Sequence, residues 1–296
     1  MFTLHFIVKK QDEGKLLREF LREKHISKSA LADIKFAGGS ILVNGNRVTV
    51  RYVLRIGDDI EVTFPEEISS EGLKAEQLPL DIVYEDDYVL VLNKAPYMNS
   101  IPSREHPTGS VANALLYYYK KNGLHSAVHI VTRLDRDTSG LMLIAKNRYI
   151  HHLFSLQQKD HSIQRSYIAI VHGRLKKRNG IVNEPIGRKE TSIIEREVRQ
   201  DGQHAITHYE VMEEYSQSSL LKLKLETGRT HQIRVHLSYV GNPLLGDDLY
   251  GGKRDLIKRQ ALHSCELTFF HPVLEQELHF QSKLPADMQQ LLNMEE

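Results

Sequence analysis

Three short stretches hold most of the side chains able to do chemistry in this chain. The first is Arg133-Leu134-Asp135-Arg136-Asp137-Thr138-Ser139-Gly140, four charges and two hydroxyls set between the apolar runs AVHIVT and GLMLIA. Such runs read as buried strands, so the turn projects its carboxylates from a rigid support, where sites tend to sit. A carboxylate held there can serve as nucleophile or base. The same residues also fit an ordinary surface turn in which Asp137 caps the amides of Thr138 and Ser139. The second stretch is Thr227-Gly228-Arg229-Thr230-His231-Gln232-Ile233-Arg234-Val235-His236. On a helix it sets His231 beside Arg234 and Gln232 beside His236. Arg229 then falls near the N-terminal end, where backbone amides favour anions. A basic, solvent-facing stripe is the plainer reading. The third stretch, Arg165-Ser166-Tyr167-Ile168-Ala169-Ile170-Val171-His172-Gly173, is a strand with one aromatic, which suits a core tyrosine as well as a site.

Other chemistries lack their residues. There is no phosphate-binding G-x-x-x-x-G-K-S/T, no H-E-x-x-H and no G-x-S-x-G. The 16 histidines are scattered; His204 and His208 share a strand face with no carboxylate close in sequence, and His151 and His152 point to different helix faces. One cysteine, Cys265, excludes an internal disulfide and a cysteine-rich metal site. No metal and no cofactor are expected. Asp135 and Asp137, one residue apart in a tight turn, are poorly placed to flank a sugar bond, which weighs against a glycosidase-like acid pair. A metal-dependent nuclease is a further alternative, to be excluded by insensitivity to EDTA.

The elements that must position these stretches are legible from periodicity and caps. EGKLLREFLREK places Leu16, Leu17, Phe20 and Leu21 at helical spacing. Ser27 caps a second helix, SKSALADIKFAGG, stopped by Gly38 and Gly39. The strand ILV meets a tight turn at Asn44-Gly45, and RIGDDIEVTF closes this unit with another strand. From Leu80, two strands flank Glu85–Asp87, and Ser110 caps the helix VANALLYYYKK. RYIHHLFSLQQKD reads as a helix; RSYIAIVHG, HAITHYEVME and SLLKLKLETG read as strands; RTHQIRVHLSYVG reads as a helix ended by Gly241. Strands outnumber helices and short turns join them, which gives an α+β fold on a mixed or antiparallel sheet.

The chain has 296 residues, 41% hydrophobic and 26% charged, an ordinary globular composition. No apolar run is long enough to cross a membrane, and MFTLHFIVKK does not read as a secretory leader, so a cytoplasmic location is expected; a monomer is the separate expectation for assembly. The net charge of +1 divides into +3 over 1–64, −7 over 65–87 and +5 over 88–296. Two mildly basic bodies suit a polyanion, though mixed solvated surfaces would look alike. Residues 65–79, with Pro65, Ser69, Ser70, Gly72 and Pro79 among acidic side chains, show no apolar face and read as a linker. The expected division is thus 1–64, a linker over 65–79, and 80–296.

Taken in order, the three stretches resemble the RluA-type pseudouridine synthases, which carry an R-L-D-x-x-T-S-G turn, a basic-x-Tyr-x-Ala strand, and T-G-R-T-H-Q-I-R-V-H followed by G-x-P-x-x-G-D. All are present, the last as Gly241-Asn242-Pro243-Leu244-Leu245-Gly246-Asp247 with Tyr250-Gly251 beyond. The resemblance covers roughly residues 80–296. Residues 13–64 separately resemble the S-four-type RNA-binding domain, through I-L-V-N-G and G-D-D-I-E-V, although the first helix opens Gly14-Lys15-Leu16-Leu17 where that family has R-L-D-K. The synthase family usually has His before Arg-Leu-Asp; here the position is Thr132.

The resemblance implies an enzyme that isomerises uridine within RNA: the glycosidic bond to ring nitrogen breaks, the uracil turns, and ring carbon 5 bonds to the ribose. It needs no cofactor or metal. It implies Asp135 as the essential carboxylate, Arg234 as its ion-pair partner, and Tyr167 as the ring that stacks on the flipped uracil. Arg133 would fill the gap left in the RNA, and Arg229 would hold phosphate. Thr230, His231 and Gln232 would support these residues or face RNA. Arg22, Lys24, Lys28, Lys35 and Arg47 would contact RNA backbone from the small domain, carried on a flexible tether. Ribosomal RNA of the large subunit is the favoured partner, with transfer RNA the other choice and no membrane role. A non-catalytic RNA-binding or ribosome-assembly factor on the same scaffold is the alternative.

Overall fold

The computed structural model describes residues 2–69 and 72–295. The N-terminal unit is a four-stranded sheet in the order β1-β4-β2-β3, with β1 Thr3–Ile7, β2 Ser40–Val43, β3 Asn46–Arg47 and β4 Asp59–Thr63. Helices α1 (Leu17–Glu23) and α2 (Lys28–Phe36) pack on it. Leu17, Phe20 and Leu21 of α1 are buried, as the spacing expects. Ser27 caps α2 by accepting from the Ala30 amide at 3.1 Å. Asn44 and Gly45 both take positive φ, the geometry of a tight hairpin turn between right-twisted strands.

The body is built on one ten-stranded sheet. Its strands are β5 (Ile82–Glu85), β6 (Val89–Lys94), β7 (His129–Ile130), β8 (Ser139–Ala145), β9 (Gln164–His172), β10 (Asn179–Asn183), β13 (Ile206–Glu214), β14 (Ser218–Leu225), β15 (Leu262–His271) and β16 (Gln276–Gln281). Between β10 and β13, a separate hairpin pairs β11 (Ile186–Arg188) with β12 (Arg196–Val198). The helices are α3 (Val111–Lys121), α4 (Arg148–Lys159), α5 (Gln232–Tyr239) and α6 (Ala286–Glu295). Nearly every pairing is antiparallel. The exception is β8 against β15, where His263 faces Ser139 and Ser264 faces Gly140. This parallel seam joins two antiparallel half-sheets immediately after the Asp135 turn. Gly140 makes it possible: its φ is +115°, and a Cβ there would stand 2.2 Å from the Ser264 carbonyl oxygen.

Strand β8 is buried along its whole length, because both sheet faces are covered. On one face α3 and α5 pack against Leu92, Met142, Tyr167 and Leu223. On the other, α4 and the N-terminal unit enclose Val91, Leu143, Phe154 and Phe269. The two bodies share this core. Phe2 and Phe64 of the small unit meet Tyr149, with ring centroids 6.4 and 5.4 Å apart, and Phe2 also meets Tyr88 at 6.0 Å. Tyr149 donates its hydroxyl to the Lys24 carbonyl at 2.8 Å.

The segment expected to be a flexible tether is laid along the body. Glu67 bonds His129 and accepts from the Arg148 amide at 2.7 Å. Glu76 accepts from the Gly109 amide at 2.6 Å, and Asn113 donates to the Lys74 carbonyl at 2.7 Å. Its carboxylates anchor it where an apolar face would otherwise have been needed. Ser70 and Glu71 of this segment lie outside the described residues.

Candidate active site

Five of the turn's backbone and side-chain groups are fixed from outside it. Ser100 Oγ donates to the Leu134 carbonyl at 2.6 Å and accepts from the Leu134 amide at 3.0 Å. Lys94 Nζ donates to the Arg136 carbonyl at 2.9 Å, and also to the carbonyls of Ala95 and Met98. Arg259, 0% exposed, donates to the Asp137 carbonyl at 3.1 Å while Asp287 holds its other edge at 2.6 and 2.9 Å. Gln260 donates to Thr138 Oγ1 at 3.2 Å. Burial pushes the Lys94 ammonium down to about 7, against the opposing pull of the Asp135 and Asp137 charges.

Thr132 has a backbone task. The amides of Val131 and Thr132 both donate to the Leu143 carbonyl, and the Leu143 amide is met by Thr132 Oγ1 at 2.9 Å. The hydroxyl thus closes the ladder where the chain leaves β7, and it is buried. The Asp137 carboxylate pairs with Arg136 at 2.8 Å instead of capping Thr138 and Ser139.

Asp135 remains partly open, its side chain 25% exposed. Arg234 Nη1 donates to Asp135 Oδ2 at 3.2 Å, so the expected contact between turn and helix is present. Arg234 is itself gripped from behind. Its Nε and Nη2 donate to the two oxygens of Asp247 at 2.7 and 2.8 Å, a bidentate fork on a carboxylate 1% exposed. Burial opposes the charge on Arg234, but the Asp247 bonds and the Asp135 charge outweigh it and raise its pKa. The Tyr250 ring lies 4.9 Å from the guanidinium carbon. The Tyr250 hydroxyl is 2.7 Å from His231 Nδ1, and His231 Nε2 is 3.9 Å from Asp135 Oδ2. Burial lowers the pKa of His231, Asp135 opposes this, and Arg234 adds to it.

Helix α5 starts three residues later than the sequence periodicity implied. His231 is its N-cap with φ 58°, and Gln232 is the first helical residue. Arg229 therefore precedes the helix, with Nε donating to the His204 carbonyl at 3.0 Å. Gln232 is buried, and its amide is spent inside the fold: it accepts from Thr227 Oγ1 and the Arg229 amide and donates to the Ile206 carbonyl and Thr207 Oγ1. It fastens α5 to β13, which is the supporting one of the two roles expected from its place in the motif.

A cavity of 1410 Å³ collects Arg133, Asp135, Arg229, Thr230, His231 and Arg234, with Arg104, Arg165, Arg188 and Arg254 around them. This exceeds the roughly 300–1,000 Å³ of a small-molecule pocket. Tyr167 is 4% exposed and does not line it; it lies one step deeper than Arg165 on the same face of β9. Arg22, Lys24, Lys28, Lys35 and Arg47 are exposed on the small unit, outside this cavity. Among the described residues no group of three or more His, Cys, Asp or Glu side chains could hold a metal ion. No helix there is long and apolar enough to cross a membrane.

Asp247, Tyr250, Lys94, Ser100 and Arg259 were not singled out for roles in the sequence. Asp247 and Tyr250 at least stood in a recognisable motif. Lys94 ends the apolar strand VLVLNK, where a charge at a buried position is a usable signal. Arg259 carries none, because its partners lie 28 and 122 residues away.

The family described as RNA pseudouridylate synthase matches residues 88–239. The uncharacterized RNA pseudouridine synthase YjbO of Bacillus subtilis (strain 168) is 54% identical over 279 residues, 94% of this chain and 99% of that protein. The ribosomal large subunit pseudouridine synthase D of Vibrio parahaemolyticus is 40% identical over 265 residues, 84% of this chain and 81% of the other. The structure of human RNA pseudouridylate synthase domain containing 1 superposes with a TM-score of 0.60 at 23% identity, over 74% of this chain and 96% of that one, a likeness of fold. With its mixed sheet, its α+β architecture and these relatives, the chain belongs to the RNA pseudouridine synthases, isomerases that act on RNA.

Proposed function

We propose that this enzyme isomerises specific uridines in large-subunit ribosomal RNA, with Asp135 as the reacting carboxylate. The observation that carries the reading is the chain Asp247–Arg234–Asp135: a buried, bidentate ion pair that presents one guanidinium nitrogen to a carboxylate at the rim of a large, cation-lined cavity. In this reading the target uridine leaves its stack at a cost of about a few kcal/mol and enters the cavity. Asp135 acts on the ribose there, as nucleophile or as base. The bond from ribose to N1 breaks and the bond to C5 forms. The proton leaves C5, N1 gains one, and no group is lost or added.

The Tyr167 ring, 4% exposed, would stack on the uracil once it is uncovered, contributing roughly 1–3 kcal/mol toward the unstacking cost. Arg133, exposed and unpartnered among the described residues, would fill the gap in the RNA. Arg229, Thr230 and His231 would meet the strand near the reacting nucleotide. Residues 1–64, read as an S-four-type domain, would hold flanking backbone through Arg22, Lys24, Lys28, Lys35 and Arg47, and residues 80–296 would form the catalytic body. The enzyme would work as a cytoplasmic monomer. The ribosomal target is supported by the relatives named as large-subunit synthases.

The test is a map of pseudouridine in ribosomal RNA from cells with and without the protein, repeated with Asp135→Asn supplied in trans. Loss of defined large-subunit sites, unrestored by the variant, is the expected result. An unchanged ribosomal map with sites lost in transfer RNA would move the substrate. Restoration by the variant would favour the non-catalytic alternative.

A further inference from the structure

We infer that Arg165 is a binding residue for the phosphodiester of the nucleotide drawn into the cavity, an inference that rests on the reading of RNA as substrate. Arg165 is half-buried on β9 and lines the cavity with Asp135. Its Nε is buried with no hydrogen-bond partner. Among the described residues its guanidinium makes no ion pair, and three carboxylates on the cavity wall and the paired strand β15 are already engaged. Glu226 is bound by His208 at 2.5 Å, Asp135 by Arg234 at 3.2 Å, and Glu266 by Lys222 at 2.9 Å. Of the other cavity arginines, Arg136 holds Asp137, Arg254 holds Asp248 and Arg234 is held by Asp247, while Arg104, Arg133, Arg188 and Arg229 are exposed. A half-buried cation without an anion is costly unless a ligand supplies one.

The surroundings say which ligand. The guanidinium lies over Gly228, where a Cβ would stand 2.9 Å from Nη2 and 3.3 Å from Nη1. Glycine is what lets the fork rest on the backbone there. Residues 228–231 lead directly into the first turn of α5, where amides favour negative charge, and Arg229 stands in the same loop. A charged, two-oxygen acceptor fits the guanidinium fork better than a neutral uracil carbonyl. The position two residues before Tyr167, on the same strand face, sets the phosphate beside the nucleotide whose base that ring would hold.

The experiment uses the full-length enzyme and a large-subunit ribosomal RNA transcript tritiated at uracil C5, from which isomerisation releases tritium. Arg165→Gln is expected to raise KM on the order of tenfold with kcat within about threefold, as removal of a contact equal in ground and transition states should. The slope of log KM against log salt should fall by about 0.7, one phosphate contact on a single strand. Arg165→Lys should recover part of the loss. Gly228→Ala, which keeps every charge but displaces the fork, should raise KM in the same direction. An active wild type with Arg165→Gln unchanged in KM and salt slope would overturn the inference. So would a fall in kcat at constant KM, the mark of a residue that merely positions Tyr167. If the wild type releases no tritium from this RNA or from transfer RNA, the substrate reading itself falls.

Discussion

At the scale of single residues, the site is a relay of charge with one end buried and the other open. Asp247 fixes Arg234, and Arg234 fixes Asp135, so each carboxylate has a different task set by its exposure. Replacing Asp247 with Asn should leave a buried guanidinium half-paired. Breaking buried pairs costs about 3–5 kcal/mol, and the remaining Asp135 contact places this case toward the lower end. Urea melts should register the loss, with kcat falling alongside it. Tyr167→Leu is expected to lower kcat/KM more than Tyr167→Phe; the reverse order, in steady-state assays, would assign the work to the hydroxyl. The residues proposed to react were readable in the sequence because they lie in three contiguous, unusually charged runs. Their supports were not. Lys94 reaches the turn across 42 residues, Ser100 across 34 and Arg259 across 122, and no local pattern announces such contacts.

Among elements, capped and strongly periodic segments formed where their residues place them. Ser27 and Ser110 each start a helix by accepting an amide proton, and β8 is as buried as its apolar run requires. The start of α5 differed because one backbone and one side-chain choice override periodicity: His231 adopts the left-handed region, and the Gln232 side chain bonds the preceding loop. The linker differed because polar anchors leave no hydrophobic pattern. Two outcomes belong here. Gly140→Ala should prevent the parallel seam, since neither the φ of +115° nor the 2.2 Å approach admits a side chain; insoluble or unfolded protein is expected, read by circular dichroism. The Glu67 anchor gives a pH dependence. Burial raises its pKa, but the bond and charge of His129 with the Arg148 and Ala127 amides prevail and hold it below the ordinary 4.5. Its stabilisation is therefore complete above about pH 4.5 and is lost as pH falls through the lower, folded value. Melting temperatures between pH 3 and 6 should decline less steeply for Glu67→Gln than for wild type.

For the whole molecule, the small unit is fastened to the body by Phe2, Phe64 and Tyr149, and by Arg148 to Asp33 at 3.1 Å. Removing residues 1–70 would therefore strip a covered aromatic patch as well as five exposed cations, so lower solubility and a lower melting temperature should accompany any rise in KM. Phe64→Ala separates the two effects, since it loosens the contact and leaves the cations in place. The proposed isomerisation depends on Asp135 above all. Its most direct test is release of tritium from uracil C5 in ribosomal RNA by wild type, Asp135→Asn and Asp137→Asn, each shown to be folded. Activity lost in the first variant and largely kept in the second is the predicted result. Equal activity in all three, or equal loss in both variants, would contradict it.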